Sequence, residues 1–257
     1  MGPLSSSLTV ASLTVADLAT KPFVRKACST PMKPNSVLSF WFGVDFESSE
    51  EAKDLMRKGV PFNEMMGIWY GGGDEYDKLC QSFVPVVRDA GTRKLMQDDE
   101  WNSSIDGKVS QMLLCDQFSR NCFRGTNEAF EYDPVAVELS LELCSSILTD
   151  DPTKKIEGEM FPVYANFLML PLMHSESLEN HDIGIKVADW ALNGGVSEDF
   201  HVHFANSKEF IGNHREVVER FGRFPHRNKS LGRESTKEEL EWLADVDNLP
   251  GWAKSQG

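Results

Sequence analysis

The stretch EYDKLCQSFVPVVRDAG, residues 75 to 91, carries its apolar side chains at the spacing of an amphipathic helix. They fall at positions i, i+3, i+4, i+7, i+10, i+11 and i+14, and are Tyr76, Leu79, Cys80, Phe83, Val86, Val87 and Ala90. On a helix with 3.6 residues per turn these positions share one face, which would pack against a core. Pro85 predicts a kink inside the segment, because proline removes a backbone donor.

The same period recurs along the chain. In PVAVELSLELCSSIL, residues 134 to 148, the apolar face is formed by Ala136, Leu139, Leu143 and Ile147. Residues 197–221 show a third helical pattern, and alternating strand patterns are scarce. The sequence therefore predicts an all-α fold with a single helical domain.

Two further signals predict where helices begin. SVLSFWFG, residues 36 to 43, opens with Ser36 as an N-cap and continues into a dense apolar run. Near the end of the chain, Ser235 and Glu238 have the spacing of a capping box ahead of a short helix.

Composition limits the class of protein. The chain has 257 residues, of which 40% are hydrophobic, which is enough for one substantial core. It has 40 acidic against 26 basic residues and a net charge of −14, which disfavours binding to nucleic acid or anionic membranes. Five widely spaced cysteines without a C-x-x-C pair suggest neither a disulfide framework nor a zinc site. Reduced thiols favour an intracellular protein, and no apolar run is long enough to span a membrane.

Residues 1–36 differ from the rest of the chain. They contain ten Ser and Thr residues, four basic residues and a single acid, Asp17, and so carry a charge of +3. This composition is typical of a transit peptide for a plastid or mitochondrion, and the alternative is a disordered tail in a cytoplasmic protein. We expect residues 1–34 to be disordered and residues 35–257 to form the helical domain.

The first polar motif is LLCDQFSRNCFRG, residues 113 to 125. If the segment is helical throughout, Asp116, Arg120 and Arg124 align at i, i+4 and i+8, with Gln117 and Asn121 in the neighbouring row. Arginine and amide side chains suit bidentate hydrogen bonding to a ligand. The alternative is a simple surface pair between Asp116 and Arg120.

The second motif is FLMLPLMHSESLENHD, residues 167 to 182, in which Pro171 interrupts an apolar segment. His174 and Glu176 follow it, and together they could move a proton in general acid and base chemistry. A lone histidine near a helix end can equally serve only to satisfy backbone groups. A metal site would need further ligands, for which His181, Asp182, His214 and His226 are candidates without a recognisable spacing.

The third motif is FGRFPHRNKSLGR, residues 221 to 233, which holds five basic residues and no acid. Gly222, Pro225 and Gly232 make a continuous helix unfavourable, so the motif is expected to form a shaped loop. Its arginines suit a carboxylate or phosphate ligand. The alternative is that Arg223, Arg227 and Arg233 clamp acidic helices of their own domain.

LLCDQFSRNCFRG, PLMHSE and FGRFPHRNKSLGREST together resemble the signature blocks of the family known as domain of unknown function 924, from about Asn35 to Trp242. The resemblance implies a helical fold similar to tetratricopeptide-repeat proteins, and it brings no settled activity. The positions that match the family motifs are Asp116, Gln117, Arg120, Asn121, Arg124, His174, Ser175, Glu176, Arg223, His226, Arg227, Asn228 and Arg233.

Two positions depart from the family pattern. Ser119 stands where the family commonly has proline, which suggests a backbone break that would disturb the row from Asp116 to Arg124. His181 stands where the family commonly has glutamine, so a metal role for His181 would not be a family property.

The preferred hypothesis is an enzyme or binding protein for a small anionic molecule. His174, Glu176 or His226 would move a proton. The substrate-binding residues would be Asp116, Gln117, Arg120, Asn121, Arg124, Arg223, Arg227, Asn228 and Arg233. No tightly bound metal is expected, and the sequence identifies no cofactor. The alternative is a non-catalytic helical scaffold that binds an acidic peptide or protein partner.

Overall fold

The computed structural model describes residues 12–27 and 32–254. Its α-helices are, in chain order, α1 (Val15–Thr20), α2 (Pro22–Ala27), α3 (Pro34–Phe42), α4 (Ser49–Arg57), α5 (Val60–Glu64), α6 (Met66–Gly71), α7 (Gly73–Cys80), α8 (Val84–Gly91), α9 (Asp99–Asn102), α10 (Ile105–Leu113), α11 (Ser119–Cys122), α12 (Glu128–Glu131), α13 (Asp133–Leu148), α14 (Pro162–His174), α15 (Leu178–Trp190), α16 (His201–Phe221), α17 (Lys237–Ala244) and α18 (Gly251–Lys254). Short 3-10 turns occupy Gln81–Phe83, Leu95–Gln97, Pro152–Lys154, Glu198–Phe200 and Pro225–Arg227, and π-helical turns occupy Leu114–Phe118 and Ala191–Gly195.

The all-α, single-domain prediction is confirmed. The described residues form no β-strand, and their one isolated bridge pairs Ser104 with Glu157. None of the helices in this part of the chain combines the length and apolar character that crossing a bilayer would need. Helix packing of the tetratricopeptide-repeat type stays a prediction.

The segment from residue 75 to residue 91 forms α7 and α8, which are joined by the 3-10 turn Gln81–Phe83. Six of its seven predicted core residues are buried, and Leu79 is half-buried. The break lies just before the kink predicted at Pro85, which occupies the first turn of α8. Proline is well tolerated there, because the first N–H groups of a helix have no intrahelical partner.

The predicted N-caps are displaced by three residues in α3 and by one residue in α17. α3 begins at Pro34 with Lys33 as its N-cap, so Ser36 lies inside the helix. At α17 the capping box is formed by Thr236 and Glu239. Ser235 and Glu238 have the same spacing one residue earlier, which is why the sequence does not distinguish the two.

The main core gathers aromatic side chains from the central helices. Trp41 of α3 lies 5.0 Å from Phe118 and 5.8 Å from Phe167 of α14, measured between ring centroids. Aromatic groups of this size bury the largest apolar areas per residue, so they contribute strongly to the stability of the fold. A smaller cluster of Val217, Val218 and Phe224 lies apart, under the C-terminal segment.

Helix packing determines where the polar motifs meet. α14 packs against α13, α15 and α16, and α13 also packs against α10. The C-terminal end of α14 carries His174, and the π-helical turn that follows α10 carries Asp116. These two residues are in contact, so the first and second motifs lie at the same end of the bundle.

The N-terminal segment differs from the expected disordered tail where it is described. α1 and α2 are helical, and α2 packs against α3. Leu18 and Val24 belong to the main core, with 0% and 4% of their surface exposed. The Ser- and Thr-rich, basic composition suggested disorder, whereas Leu18 and Val24 dock the two short helices on the core. The transit-peptide hypothesis concerns residues that lie partly outside the described chain and stays a prediction.

Removing this segment is therefore expected to destabilise the protein. Burying a Leu or Val side chain contributes about 1.5 to 3 kcal/mol, so losing Leu18 and Val24 should cost about 3 kcal/mol or more. In a chain of this size that lowers the melting temperature by at least about 6 °C. The measurement compares a chain that starts at Met32 with one that starts at Ser12. Melting temperatures within about 2 °C of each other would show that the helices do not contribute.

Candidate functional site

Asp116 lies at a local change of helix type. The chain leaves α10, passes through the wider π-helical turn Leu114–Phe118 and resumes as α11. π-helical turns are rare in proteins, and many of those that occur lie at functional sites. Ser119, where the family resemblance suggested a break, donates its hydroxyl to the carbonyl of Cys115 at 2.6 Å. Asp116 itself is almost fully enclosed, with 1% of its surface exposed.

The predicted row of Asp116, Arg120 and Arg124 is only partly formed. Nη1 of Arg120 lies 3.1 Å from Oδ1 of Asp116, as the i, i+4 spacing predicts. α11 ends at Cys122, so Arg124 points elsewhere and donates to the carboxylate of Asp77 at 2.6 and 3.0 Å. Arg124 therefore does not join the site as a free cation.

The two amides of this motif support charged neighbours. The side-chain amide of Gln117 donates to Oδ2 of Asp116. The carbonyl of Asn121 accepts a bond of 3.1 Å from Arg124. Gln117 thus belongs to the cluster around Asp116, whereas Asn121 belongs to the surface pair of Arg124.

His174 and Asp116 form a buried dyad. Nδ1 of His174, the last residue of α14, lies 2.7 Å from Oδ1 of Asp116. Burial would raise the pKa of Asp116, but the charge of Arg120 and the contact with His174 hold it well below its ordinary value. An ionised carboxylate can only accept, so Nδ1 of His174 carries the proton.

This tautomer leaves Nε2 of His174 with a lone pair. Burial lowers the pKa of His174, and the guanidinium groups of Arg120 and Arg227 add to that effect while Asp116 opposes it. Nε2 has no hydrogen-bond partner among the described residues and is not fully enclosed. The side chain is 14% exposed, so part of the imidazole reaches the protein surface.

Asp133 joins two arginines from different motifs. Arg120 donates to both oxygens of Asp133 at 3.0 and 3.2 Å. Arg227 donates from Nη1 to Oδ2 at 3.2 Å. The result is one continuous polar chain from His174 through Asp116, Arg120 and Asp133 to Arg227.

Arg227 is the most enclosed arginine of the basic loop, with 5% of its surface exposed. Its guanidinium carbon lies 4.8 Å from the ring centroid of Phe130 and 4.8 Å from that of Phe224. Burial lowers the pKa of Arg227 to about 10; Asp133 opposes this shift and Arg120 adds to it. Nε is enclosed without a partner, and Nη2 has no hydrogen bond within the described chain.

The other two arginines of the loop are paired inside the domain. Arg223 donates to both oxygens of Glu239 at 2.6 and 2.9 Å. Arg233 donates to both oxygens of Glu176 at 2.8 and 2.9 Å. The clamp alternative therefore describes Arg223 and Arg233, and in part Arg227, which donates one bond to Asp133 within the polar cluster.

Glu176 and Asn228 hold the loop in shape. Glu176 accepts the backbone N–H of Phe224 at 2.8 Å in addition to its bonds from Arg233. Burial would raise its pKa, but these bonds hold it below the ordinary value. Asn228 donates to Glu239 at 3.2 Å. With both oxygens of Glu176 engaged, the geometry does not favour it as a proton carrier, and Asn228 lies in the Glu239 clamp.

The loop itself has the predicted form. α16 ends at Phe221 and is capped by Gly222, whose φ of 71° belongs to the left-handed region that glycine adopts most readily. Pro225 opens the 3-10 turn Pro225–Arg227, which aims the next side chains inward.

His226 and His214 are two further buried histidines near His174. Both are buried with 6% exposure, and burial lowers the pKa of each to about 3, so both are neutral at pH 7. The ring of His214 stacks on Trp252 at 3.9 Å and lies 6.3 Å from the ring of His174. His226 lies 5.3 Å from Trp252. His226 is thus part of the neighbourhood of His174, but nothing in its contacts makes it a proton donor at pH 7.

The metal candidates do not assemble. His181 lies near the backbone carbonyl of Met173, with Nε2 at 3.0 Å, and Asp182 pairs with Arg215 at 2.9 Å. Across residues 12–27 and 32–254, no three His, Cys, Asp or Glu side chains converge as a metal ion requires. The expectation that no metal is bound remains a prediction for elemental analysis.

Polar atoms that are enclosed without a partner concentrate at this site. Ten such side-chain atoms occur in the described chain. Half of them lie in Arg120 and in the loop from His226 to Arg233, and they are Nε of Arg120, Arg227 and Arg233, Nδ1 of His226 and Oδ1 of Asn228. Buried polar groups are normally satisfied by protein or by ordered water, so these atoms are candidates for contact with water or a ligand.

Two of the clefts that the described residues form lie at different places on the bundle. A narrow one is lined by Arg120, Arg124, Gly125, Ala129 and Phe130, directly beside the polar cluster. A larger one of about 400 Å³ lies near the start of α10 and the end of α15, and none of the predicted site residues lines it.

Sequence reasoning missed Asp133, Phe130 and Trp252. Asp133 stands directly before Pro134 at the start of α13, where an acidic residue normally indicates only a helix N-terminus. Phe130 and Trp252 belong to short helices without a long apolar period. Their roles depend on tertiary packing, for which these segments carry no periodic signal.

Comparison with known proteins gives the family context. A family model described as "Bacterial protein of unknown function (DUF924)" matches residues 37–247. The chain is also similar to a solved structure, described as protein of unknown function ATU0120 from Agrobacterium tumefaciens. The two are 27% identical with a TM-score of 0.50, and the match covers 77% of this chain and 98% of that one. No curated protein matches the sequence. The polar cluster lies inside the matched range, and Trp252 lies beyond it.

Proposed function

The chain belongs to the DUF924 family, and we propose that it is an enzyme that acts on a small anionic molecule by general acid and base catalysis. His174 would move the proton, Asp116 would orient His174, and Arg227 would hold the anionic group of the substrate. One observation carries the proposal. His174, which Asp116 orients, has a free Nε2, and a chain of polar contacts through Arg120 and Asp133 connects it to Arg227, a buried arginine with unpaired donors.

The dyad has the chemistry of an oriented base. Asp116 fixes the proton of His174 on Nδ1, so that Nε2 is free to take a proton from a substrate or from water. Once His174 is protonated, the adjacent carboxylate stabilises the imidazolium. Asp116 is thus a positioning residue, and His174 is the group that touches the reacting atom.

Charge balance links the base to the anion site. Asp116 and Asp133 balance Arg120 and Arg227, so the cluster is neutral while His174 is neutral. A bound anion adds one negative charge to a largely enclosed place. Protonation of His174 would restore neutrality, so a substrate anion and a proton on His174 stabilise each other.

The binding step can be tested by thermal melting with and without anions. We expect the wild type to gain about 2.7 kcal/mol at an anion concentration one hundred times the Kd. Arg227→Met should abolish that gain. The variant keeps an apolar group beside the two phenylalanine rings, and a proton on His174 can balance the carboxylate charge that Arg227 no longer compensates, so the empty protein should lose less than the about 3 to 5 kcal/mol of an orphaned buried charge.

Arg223→Met is the matched control, because Arg223 is already bound to Glu239 and should not influence the anion response. A wild type without any anion-dependent rise would contradict the proposal, as would an Arg227→Met variant that responds like the wild type.

The catalytic step needs a separate measurement. Purified wild type and His174→Asn are incubated with a mixture of anionic metabolites, and mass spectrometry follows each compound. We expect at least one compound to be converted by the wild type and not by the variant. Binding without conversion would instead support the non-catalytic scaffold.

A further inference from the structure

We infer that the anionic group is a carboxylate, bound edge-on by Nε and Nη2 of Arg227, and not a phosphate or sulfate. The inference rests on the proposed function and narrows it to carboxylic acids. Three features support the inference: the donors of Arg227 that have no partner, the aromatic rings beside its guanidinium group and the net charge of the cluster.

The first argument is the unused edge of Arg227. Its Nη1 is occupied by Asp133, while Nε and Nη2 have no partner in the described chain. The same edge binds a carboxylate with two bonds elsewhere in this protein. These pairs are Arg57 with Glu159, Arg88 with Glu128, Arg124 with Asp77 and Arg223 with Glu239. Arg227 presents the same two donors from a buried position.

The second argument is the apolar surroundings of Arg227. Phe130 and Phe224 lie over the guanidinium group of Arg227, with each ring centroid 4.8 Å from its central carbon. A carboxylate is planar and can pair with the free edge in the plane of the guanidinium, so it needs no donors outside that plane. A tetrahedral phosphate or sulfate would direct further oxygens out of that plane towards apolar carbon, where no donor compensates their loss of water.

The third argument is charge. Two carboxylates and two guanidinium groups already balance in the cluster. One added negative charge can be compensated by a single proton on His174. A doubly charged phosphate would leave an uncompensated charge in an enclosed site, which is costly.

The test compares acetate with methylphosphonate, which share a methyl group and differ in the anion. Binding is followed by the melting temperature and by the NMR signal of the Arg227 side-chain N–H, assigned with the Arg227→Lys variant. We expect acetate to bind at least about tenfold more tightly than methylphosphonate. Arg227→Lys keeps the charge without the planar edge, so it should lose that preference, whereas Arg223→Lys should retain it.

The outcomes separate the two levels of the proposal. Equal or tighter binding of methylphosphonate or inorganic phosphate would overturn the carboxylate inference and leave the anion site intact. If neither anion binds, the proposed function itself fails.

A comparison of two peptides distinguishes a peptide C-terminus from a free carboxylic acid as the group that is bound. A tripeptide with a free C-terminus is compared with its amide. Tighter binding of the free peptide than of acetate, lost in the amide, would support a peptide C-terminus. Binding no tighter than that of acetate would support a free carboxylic acid.

Discussion

Replacing Asp116 with alanine is expected to lower the free energy of unfolding by about 3 to 5 kcal/mol, because it removes one member of a buried charge cluster. Asp116 is 1% exposed and contacts Arg120, His174 and Gln117. Without it, two guanidinium groups share the single carboxylate of Asp133, and one positive charge stays uncompensated in an enclosed place.

The matched control is Asp77→Ala. Asp77 also pairs with an arginine of the same motif, but Arg124 has a side chain that is 43% exposed. Solvent screens that pair, so its loss should cost only about 0 to 1 kcal/mol. Urea denaturation of wild type and both variants at pH 7 measures the difference. Equal losses in the two variants would show that Asp116 is no more important than a surface acid.

The same substitution affects His174. Asp116 opposes the lowering of the His174 pKa, so removing it should lower that pKa further and release the fixed tautomer. NMR titration of the imidazole reports both changes. An unchanged His174 pKa would contradict the dyad even if the stability loss were as expected.

Local signals gave most of the fold. The period of the apolar residues located α7, α8 and α13, because a helix that faces a core must repeat its apolar side chains every three or four residues. Gly222 and Pro225 correctly indicated a loop within the basic motif, since neither residue suits a helix interior.

The partners of the arginines could not be read from the sequence. Arg227 meets an aspartate 94 positions away, and Arg124 meets one 47 positions away. Such pairs are chosen by the packing of whole helices, and the chain offers 40 acids to choose from. The sequence therefore suggested an anion pocket lined by several arginines, whereas the structure leaves only Arg227 of the basic loop with an unpaired edge in the cluster.

The capping box shows the same limit at short range. Ser235 with Glu238 and Thr236 with Glu239 have equal spacing and equivalent chemistry. The structure selects Glu239, which also receives two bonds from Arg223. A tertiary contact thus decides between two local solutions.

Acidification is expected to destabilise the protein well before its carboxylates titrate, because His214 and His226 are buried in the neutral form. Their pKa values are lowered from 6.5 to about 3 by burial. Other positive or imidazole groups lie near both rings. Around His214 they are His174, His181 and Arg227. Around His226 they are Arg227, His174, Arg120 and Arg233. The unfolded chain takes up protons near pH 6.5, whereas the folded chain does so only near pH 3. Stability is therefore full above pH 6.5 and falls as the pH is lowered from 6.5 towards 3.

For each histidine the free energy of unfolding should fall by up to about 1.4 kcal/mol per pH unit of acidification. This amounts to about 2 kcal/mol between pH 7.5 and pH 5.0. His214 and His226 together should thus cost about 4 kcal/mol over that interval. Urea denaturation at pH 7.5, 6.5, 5.5 and 5.0 measures the loss, and the double variant His214→Phe and His226→Phe keeps both rings without the titrating nitrogens. The double variant should lose about 4 kcal/mol less than wild type over the same range. If the stability of the double variant falls with pH as steeply as that of the wild type, the two imidazoles are accessible to protons in the folded state and are not buried beside His174 in solution.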